Sequence, residues 1–307
     1  MGHGEQRVRR RPGVETVGAL FVALAALLFG GTVVLGKLLA NRDFPVTSML
    51  AIRFGFAAAL LGATLAVLRQ PHRPAAGEGV RLAALGAVGY AAESALFFLA
   101  LRHGTASAVT LLFFTYPVLV AVYSAVLGMG VPGWLTSASL VSALAGAGLV
   151  VGSGGRLAVS GAGVLFALGS ALTFSLYLIG AEVVLERTSS LAASMWVSAS
   201  ASVALALFAL LGGDGRLPSG AREWWPILGM GAFTAGAFSS LFVGLRRLGA
   251  VRTSIIATLE PVAATGLALV FLDESLRAGT VAGGVLILIG AVTASLARRR
   301  GAEAAVP

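Results

Sequence analysis

The chain has 307 residues, of which 57% are hydrophobic and 11% charged, with a formal net charge of +9 and no cysteine. At a mean hydropathy of +0.92 this much apolar surface cannot be hidden in one water-soluble core, and the composition is that of a bilayer protein. The lack of cysteine excludes a disulfide framework, thiolate catalysis and a thiolate metal site, while the basic residues sit in loops and at the ends, a pattern of membrane topology and not of a nucleic-acid-binding surface.

Residues 1–13 carry Arg7, Arg9, Arg10 and Arg11 and read as a cytoplasmic amino-terminal tail. The first apolar run, Val14 to Ala40, is too long for the core of a secretory signal and lacks a cleavage site, so it reads as a retained helix. Crossing the hydrocarbon takes about 20 mostly apolar residues. Further spans at 46–68, 80–101, 105–127, 133–152, 160–182, 191–211, 224–245, 250–272 and 278–297 bring the total to ten. Pro71 and Pro74, Pro132 and Pro218 mark breaks between them, and the Gly152-Ser153-Gly154-Gly155 run reads as the joint between two halves.

Those halves resemble each other. Leu101, Arg102, Ala106, Pro117 and Val118 recur 144 residues later as Leu245, Arg246, Ala250, Pro261 and Val262, and Gly146 falls on Gly290. Thirteen of the fifty-six positions from Ala95 to Val150 are identical at this offset, about twice the chance level for so biased a composition. Five helices per copy is an odd number, so the second copy enters the membrane upside down. The expected fold is an all-α membrane protein of ten transmembrane helices in two inverted five-helix repeats, 14–153 and 161–297, with a linker at 154–160 and a second cytoplasmic tail at 298–307. Such repeats place a site near mid-depth that either face can reach.

Fourteen arginines, among them Arg69, Arg73, Arg81, Arg187, Arg246, Arg247 and Arg298 to Arg300, fall on the face that carries the amino terminus, against seven basic residues on the other. This bias puts both termini in the cytoplasm, with the cytoplasmic (inner) membrane as the expected location.

The chain resembles the ten-helix permeases of the drug/metabolite transporter superfamily, EamA type, over about 14–297. The residues that carry the likeness are Ile52-Arg53-Phe54, Ala100-Leu101-Arg102 before Ala106, Pro117, Leu259-Glu260-Pro261-Val262 and Phe271-Leu272-Asp273-Glu274-Ser275-Leu276. Gly128-Met129-Gly130 departs from the family's Gly-Glu ending in the first half. The resemblance implies a transporter of small organic metabolites, often amino acids or related compounds, commonly an exporter.

Charges inside a membrane cost about 2.5–3.5 kcal/mol at a helix centre on insertion scales, so each needs a reason. Glu93 shares a helical face with Gly89, Tyr90 and Phe97; it is either a solute or proton site, or an interhelical carboxyl bonded to a Ser or Thr or paired with Arg53. Glu260 precedes Pro261, whose missing amide hydrogen loosens the helix beside a carboxylate; it binds a cation or ammonium group, or serves the kink. Arg53 either clamps a substrate carboxylate with its planar fork, neutralises Glu93, or anchors the second helix. Tyr116 repeats as Glu260, and Pro117 as Pro261, giving two candidate hinges. Tyr90, Tyr177 and Trp196 lie inside spans, whereas Trp134, Trp224 and Trp225 read as interfacial, and Lys37 and Glu182 sit near helix ends, where they can reach water.

His3, His72 and His103 all lie in or near loops, so no intramembrane Ser and His pair forms, and no metal-binding helix motif or Walker sequence is present. The expectation is a secondary transporter, not an enzyme, without cofactor or metal. Its partners are the lipid bilayer, a small-molecule substrate and protons as a coupling ion, with no nucleic acid, in a monomer or homodimer. A passive channel or facilitator is the main alternative, ahead of a multidrug exporter or an intramembrane enzyme.

Overall fold

The computed structural model describes residues 12–126, 134–154, 159–184, 187–213, 215–248 and 256–304, and among them every regular element is helical. In chain order these are α1 (Pro12–Ala40), α2 (Val46–Val67), α3 (Gly79–Ala84), a π-helical stretch (Leu85–Tyr90), α4 (Ala91–Arg102), α5 (Ala106–Phe113), α6 (Tyr116–Val126), α7 (Trp134–Gly154), α8 (Gly161–Val184), α9 (Ser190–Leu211), α10 (Ala221–Leu248), α11 (Leu259–Phe271) and α12 (Ala278–Ala304). Four helices, Thr16–Ala40, Val46–Val67, Gly79–Arg102 and Ser190–Leu211, are long and apolar enough to cross a membrane, and five shorter apolar helices accompany them.

Local chemistry explains where several elements begin. Thr105 and Ser189 cap α5 and α9 by accepting hydrogen bonds from the Ala108 and Ala192 amides at 3.2 and 3.3 Å. The expected third span is continuous from α3 to α4, but its middle is π-helical. The expected fourth span is broken: α5 stops at Phe113, Phe114 and Thr115 turn, and α6 starts at Tyr116, just ahead of Pro117. An equivalent break precedes α11, where Thr258, 144 residues after Phe114, sits at φ −64°, ψ −7° against −70° and 10°. Proline donates no backbone hydrogen bond and its ring crowds the carbonyl four residues back, here those of Phe113 and Ala257, and the repeated proline carries the repeated break.

The expected joint at Gly152-Ser153-Gly154-Gly155 needs correction. Helix α7 continues through Gly154, because glycine only weakens a helix by about 1 kcal/mol relative to alanine and here does not end it. Gly155 and most of the linker lie outside the described residues, as do residues 1–11 of the amino-terminal tail, the Gly128-Met129-Gly130 departure, Arg252 and the side chain of Glu182.

Packing between the halves follows the sequence offset. Helices α2 and α9 are both 22 residues long and start 144 apart. Helix α1 packs on α10 and α11, and its counterpart α8 packs on the π-helical stretch and α4 and on α5 and α6, while α2 pairs with α9 and α7 with α12. At the α7–α12 crossing the match reaches single residues. A methyl group built on Gly146 would lie 2.5 Å from the Gly283 carbonyl oxygen, and one on Gly290 would lie 2.8 Å from that of Ser139. These two contacts interchange when 144 is added to one partner and subtracted from the other. Between them the Ser142 hydroxyl donates to the Leu286 carbonyl at 2.7 Å, a pair 144 apart. Four residues forward on α7 meet three backward on α12, so the helices run antiparallel about a local two-fold axis across them.

Lipid tails are as apolar as leucine, so close packing rather than the hydrophobic effect holds such helices together. Glycines at this crossing bring the two backbones into contact. The outer faces carry Leu20, Val67, Leu165, Phe208, Leu211 and Val270, all exposed, as suits a surface solvated by hydrocarbon.

Candidate functional site

Arg53 on α2, Tyr90 at the end of the π-helical stretch, Glu93 in the first turn of α4 and Glu260 in the first turn of α11 lie near enough to interact electrostatically with one another. Tyr116 joins them through Glu260, and Tyr177 through Tyr90 and Glu93. The structure therefore brings all five sequence-predicted site residues together, with both candidate hinges, Pro117 and Pro261, adjoining Tyr116 and Glu260. Arg53 is 4% exposed and Glu93 7%; Tyr116 and Glu260 are partly buried.

The π-helical stretch delivers Tyr90 and Glu93. Such wide turns recur at functional sites, and here the backbone is pressed from outside. A methyl group built on Gly86 would lie 2.2 Å from the Ser200 hydroxyl and 2.4 Å from the Val197 carbonyl of α9. Only glycine fits, and α9 can cross at backbone distance.

Glu93 accepts hydrogen bonds from the Ser94 hydroxyl at 2.8 Å and from Ser170 of α8 at 3.3 Å; Ser170 also reaches the Glu93 carbonyl at 3.1 Å. No ion pair joins Glu93 to Arg53 among the described residues, so of the two structural alternatives the hydroxyl partner is the one realised. Arg53 donates through Nε to Thr234 of α10 at 2.9 Å, and the Thr234 hydroxyl donates on to the Met230 carbonyl at 2.7 Å. Its guanidinium carbon lies 4.8 Å from the centre of the Phe54 ring and 5.2 Å from that of Phe98, within cation–π range.

Aromatic rings wall the group of charges. Tyr90 contacts Phe54, Tyr177 and Phe238 at centroid separations of 5.3, 5.3 and 5.5 Å, and Tyr177 stacks on Phe174, which meets Tyr116 edge-on at 4.8 Å. Trp196 does not belong here: its indole Nε1 donates to the His72 carbonyl in the loop after α2 at 2.8 Å. Six residues into its helix, it ties the loop after α2 to α9.

Sequence reasoning missed Ser170 and Thr234, since lone hydroxyls in small-residue helices carry no signal of their own. It also missed what Glu274 does. The Glu274 carboxylate accepts from the Ala106 amide at 2.6 Å and from the Ser107 amide and hydroxyl at 3.2 and 2.7 Å, capping α5 from the loop after α11. Beside it Lys37, expected to reach toward water, donates instead to the Leu101 and Gly104 carbonyls at 2.6 and 2.7 Å, satisfying the end of α4. Together these contacts tie the loop after α11 to the start of α5, and α1 to the end of α4.

A sequence model of the EamA-like transporter family matches residues 16–152 and again 161–296. A solved crystal structure, described simply as that of a protein, is similar over 92% of this chain and 98% of its own, with a TM-score of 0.63 and 24% identity; at that identity the likeness speaks for the fold alone. No curated protein matches significantly.

Proposed function

The chain belongs to the EamA-like transporter family, and from that premise we propose that it exports a small organic metabolite, an amino acid or related compound, by alternating access across the cytoplasmic membrane. It is a multi-pass membrane protein of a family of small-molecule transporters. In this reading ten helices cross as two inverted repeats, 14–153 and 161–297, joined by 154–160, with both tails in the cytoplasm. The antiparallel two-fold crossing of α7 and α12 supports the inversion.

The observation that carries the reading is the convergence of Arg53, Glu93 and Glu260, drawn from both halves, on one buried aromatic-walled site beside two matched helix breaks. Buried charges that are not paired with each other stay only where they do work. Glu93, held by two serine hydroxyls, and Glu260, beside the break at Thr258, bind the solute's ammonium group or a coupling proton. The breaks at Thr115 and Thr258 let α5–α6 and α11 flex while α1, α2, α9 and α10 keep their packing. In a passive channel the same residues would instead line a path open to both faces at once.

The test is counterflow. Proteoliposomes loaded with unlabelled amino acids and metabolites are given labelled solutes one at a time, with no imposed gradient. Saturable accumulation with trans-stimulation is the expected result; unsaturable flux would replace the carrier with a channel.

A further inference from the structure

We propose that Arg53 is the anion clamp of the site, so that the transported solute carries a carboxylate; the proposal rests on the carrier reading above. Its basis is an orphan. The Nη1 group of Arg53 is buried without a hydrogen-bond partner among the described residues. An unpaired polar group of a buried cation is costly, and the molecule does not relieve it although partners are near. Glu93 is occupied by Ser94 and Ser170, and Thr234 takes only Nε.

The guanidinium is also held in one orientation. Phe54 and Phe98 flank it, and Phe98 reaches this position because Gly36 of α1 leaves room: a methyl group built there would lie 2.0 Å from the Phe98 ring. A planar fork whose Nη1 is left unpaired matches a carboxylate better than a lysine ammonium would.

Structure alone does not ask for arginine here. The equivalent position in the second repeat, 144 residues on, is Val197, equally buried at 4%. One repeat builds its helix with an apolar residue, so the charge in the other serves something besides the scaffold. With two carboxylates across the site, a solute bearing both an ammonium and a carboxylate would find a partner for each end.

The experiment uses the full chain in proteoliposomes and matched probes: labelled L-leucine and L-phenylalanine against their carboxamides, which keep the amine and lose the negative charge. Wild type should accumulate the acids at least about tenfold better than the amides. Arg53→Gln should erase that preference, and Arg53→Lys should keep part of it. Equal handling of acid and amide by wild type would overturn the clamp while leaving the carrier intact. Absence of exchange for every probe would remove both. Should Arg53→Gln fail to give a monodisperse protein, Arg53→Lys decides: an acid preference undiminished from wild type would overturn the clamp.

Discussion

On the carrier reading proposed above, removing the cap on α5 should loosen the face where Glu274 ties the loop after α11 to α5. The Glu274 carboxylate holds three donors, the Ala106 and Ser107 amides and the Ser107 hydroxyl, and Ala106 and Ser107 are buried. Loss of a helix cap costs about 0.5–2 kcal/mol, and each buried donor left unsatisfied costs about 1–3 kcal/mol. Water reaches the half-buried Glu274 position and recovers part of this, so Glu274→Ala should weaken the closed face by about 2 kcal/mol, or roughly thirtyfold in its opening equilibrium. The chain has no cysteine, which permits a clean reporter. Thr110 lies one turn further along α5, fully buried, with a hydroxyl that makes no hydrogen bond among the described residues, so Thr110→Cys costs little. A membrane-impermeant maleimide should label Cys at this position about thirtyfold faster once Glu274 is alanine. An unchanged labelling rate, with both proteins folded, would refute the claim that this cap holds the face shut.

Glu93→Gln and Glu260→Gln should each abolish counterflow while leaving the thermal midpoint in detergent within a few degrees, because the amide keeps the shape and removes the charge; undiminished transport in both would end their role. Gly146→Ala places a methyl group 2.5 Å from the Gly283 carbonyl and should cost about 1–3 kcal/mol by overpacking, read as a lowered thermal midpoint, with Gly148→Ala, which meets nothing within 4 Å, as the control. Glu78, in the loop before α3, accepts from the Thr188 hydroxyl and amide and from Arg187, and the Thr188 hydroxyl leads the contacts that lower its pKa from the ordinary 4.5. Its contribution to stability is therefore full above about pH 4.5 and lost as the pH falls through the lower folded value. The thermal midpoint of wild type should exceed that of Glu78→Gln at pH 7 and converge with it in acid, and a gap unchanged down to the most acid pH tested would reject the linkage.

Hydropathy and the 144-residue offset made the helical architecture legible, because burial in lipid and internal duplication both leave marks along the chain itself. The site was legible for a related reason: an Arg or Glu in an apolar run is conspicuous, and Arg53, Glu93 and Glu260 do converge. Features that depend on the partner helix left no such mark. Ser170 and Thr234 look like any hydroxyl in a helix rich in small residues until folding sets them against Glu93 and Arg53. The π-helical turn at Leu85–Tyr90 lies where α9 crosses Gly86 at backbone distance, a contact more than a hundred residues distant. Glu274 was read as part of a helix ending, while its work is to cap α5 across 168 residues of sequence. Trp196 was placed by span position alone, and hydropathy does not show that its indole is taken up by the His72 carbonyl in a neighbouring loop.

The scaffold is symmetric and the chemistry is not. Each ionisable residue of the buried site has a neutral mate 144 positions away: Arg53 has Val197, Glu93 has Ala237 and Glu260 has Tyr116. Tyr90 has Thr234, and those two mates both lie beside Arg53, close to where a two-fold axis between the halves would run. In the proposed carrier, exchanging the conformations of the two halves would yield two states of similar packing energy, open to a small bias. Single-copy charges would then make one solute site that both states share, where duplicated charges would make two competing ones. The bias itself falls to the closures. Glu274 supplies a carboxylate cap on one face, and its mate, Gly130, has no side chain with which to supply another. On the carrier reading proposed above, the difference in strength between the two faces, rather than the site between them, would set which one the empty protein keeps closed.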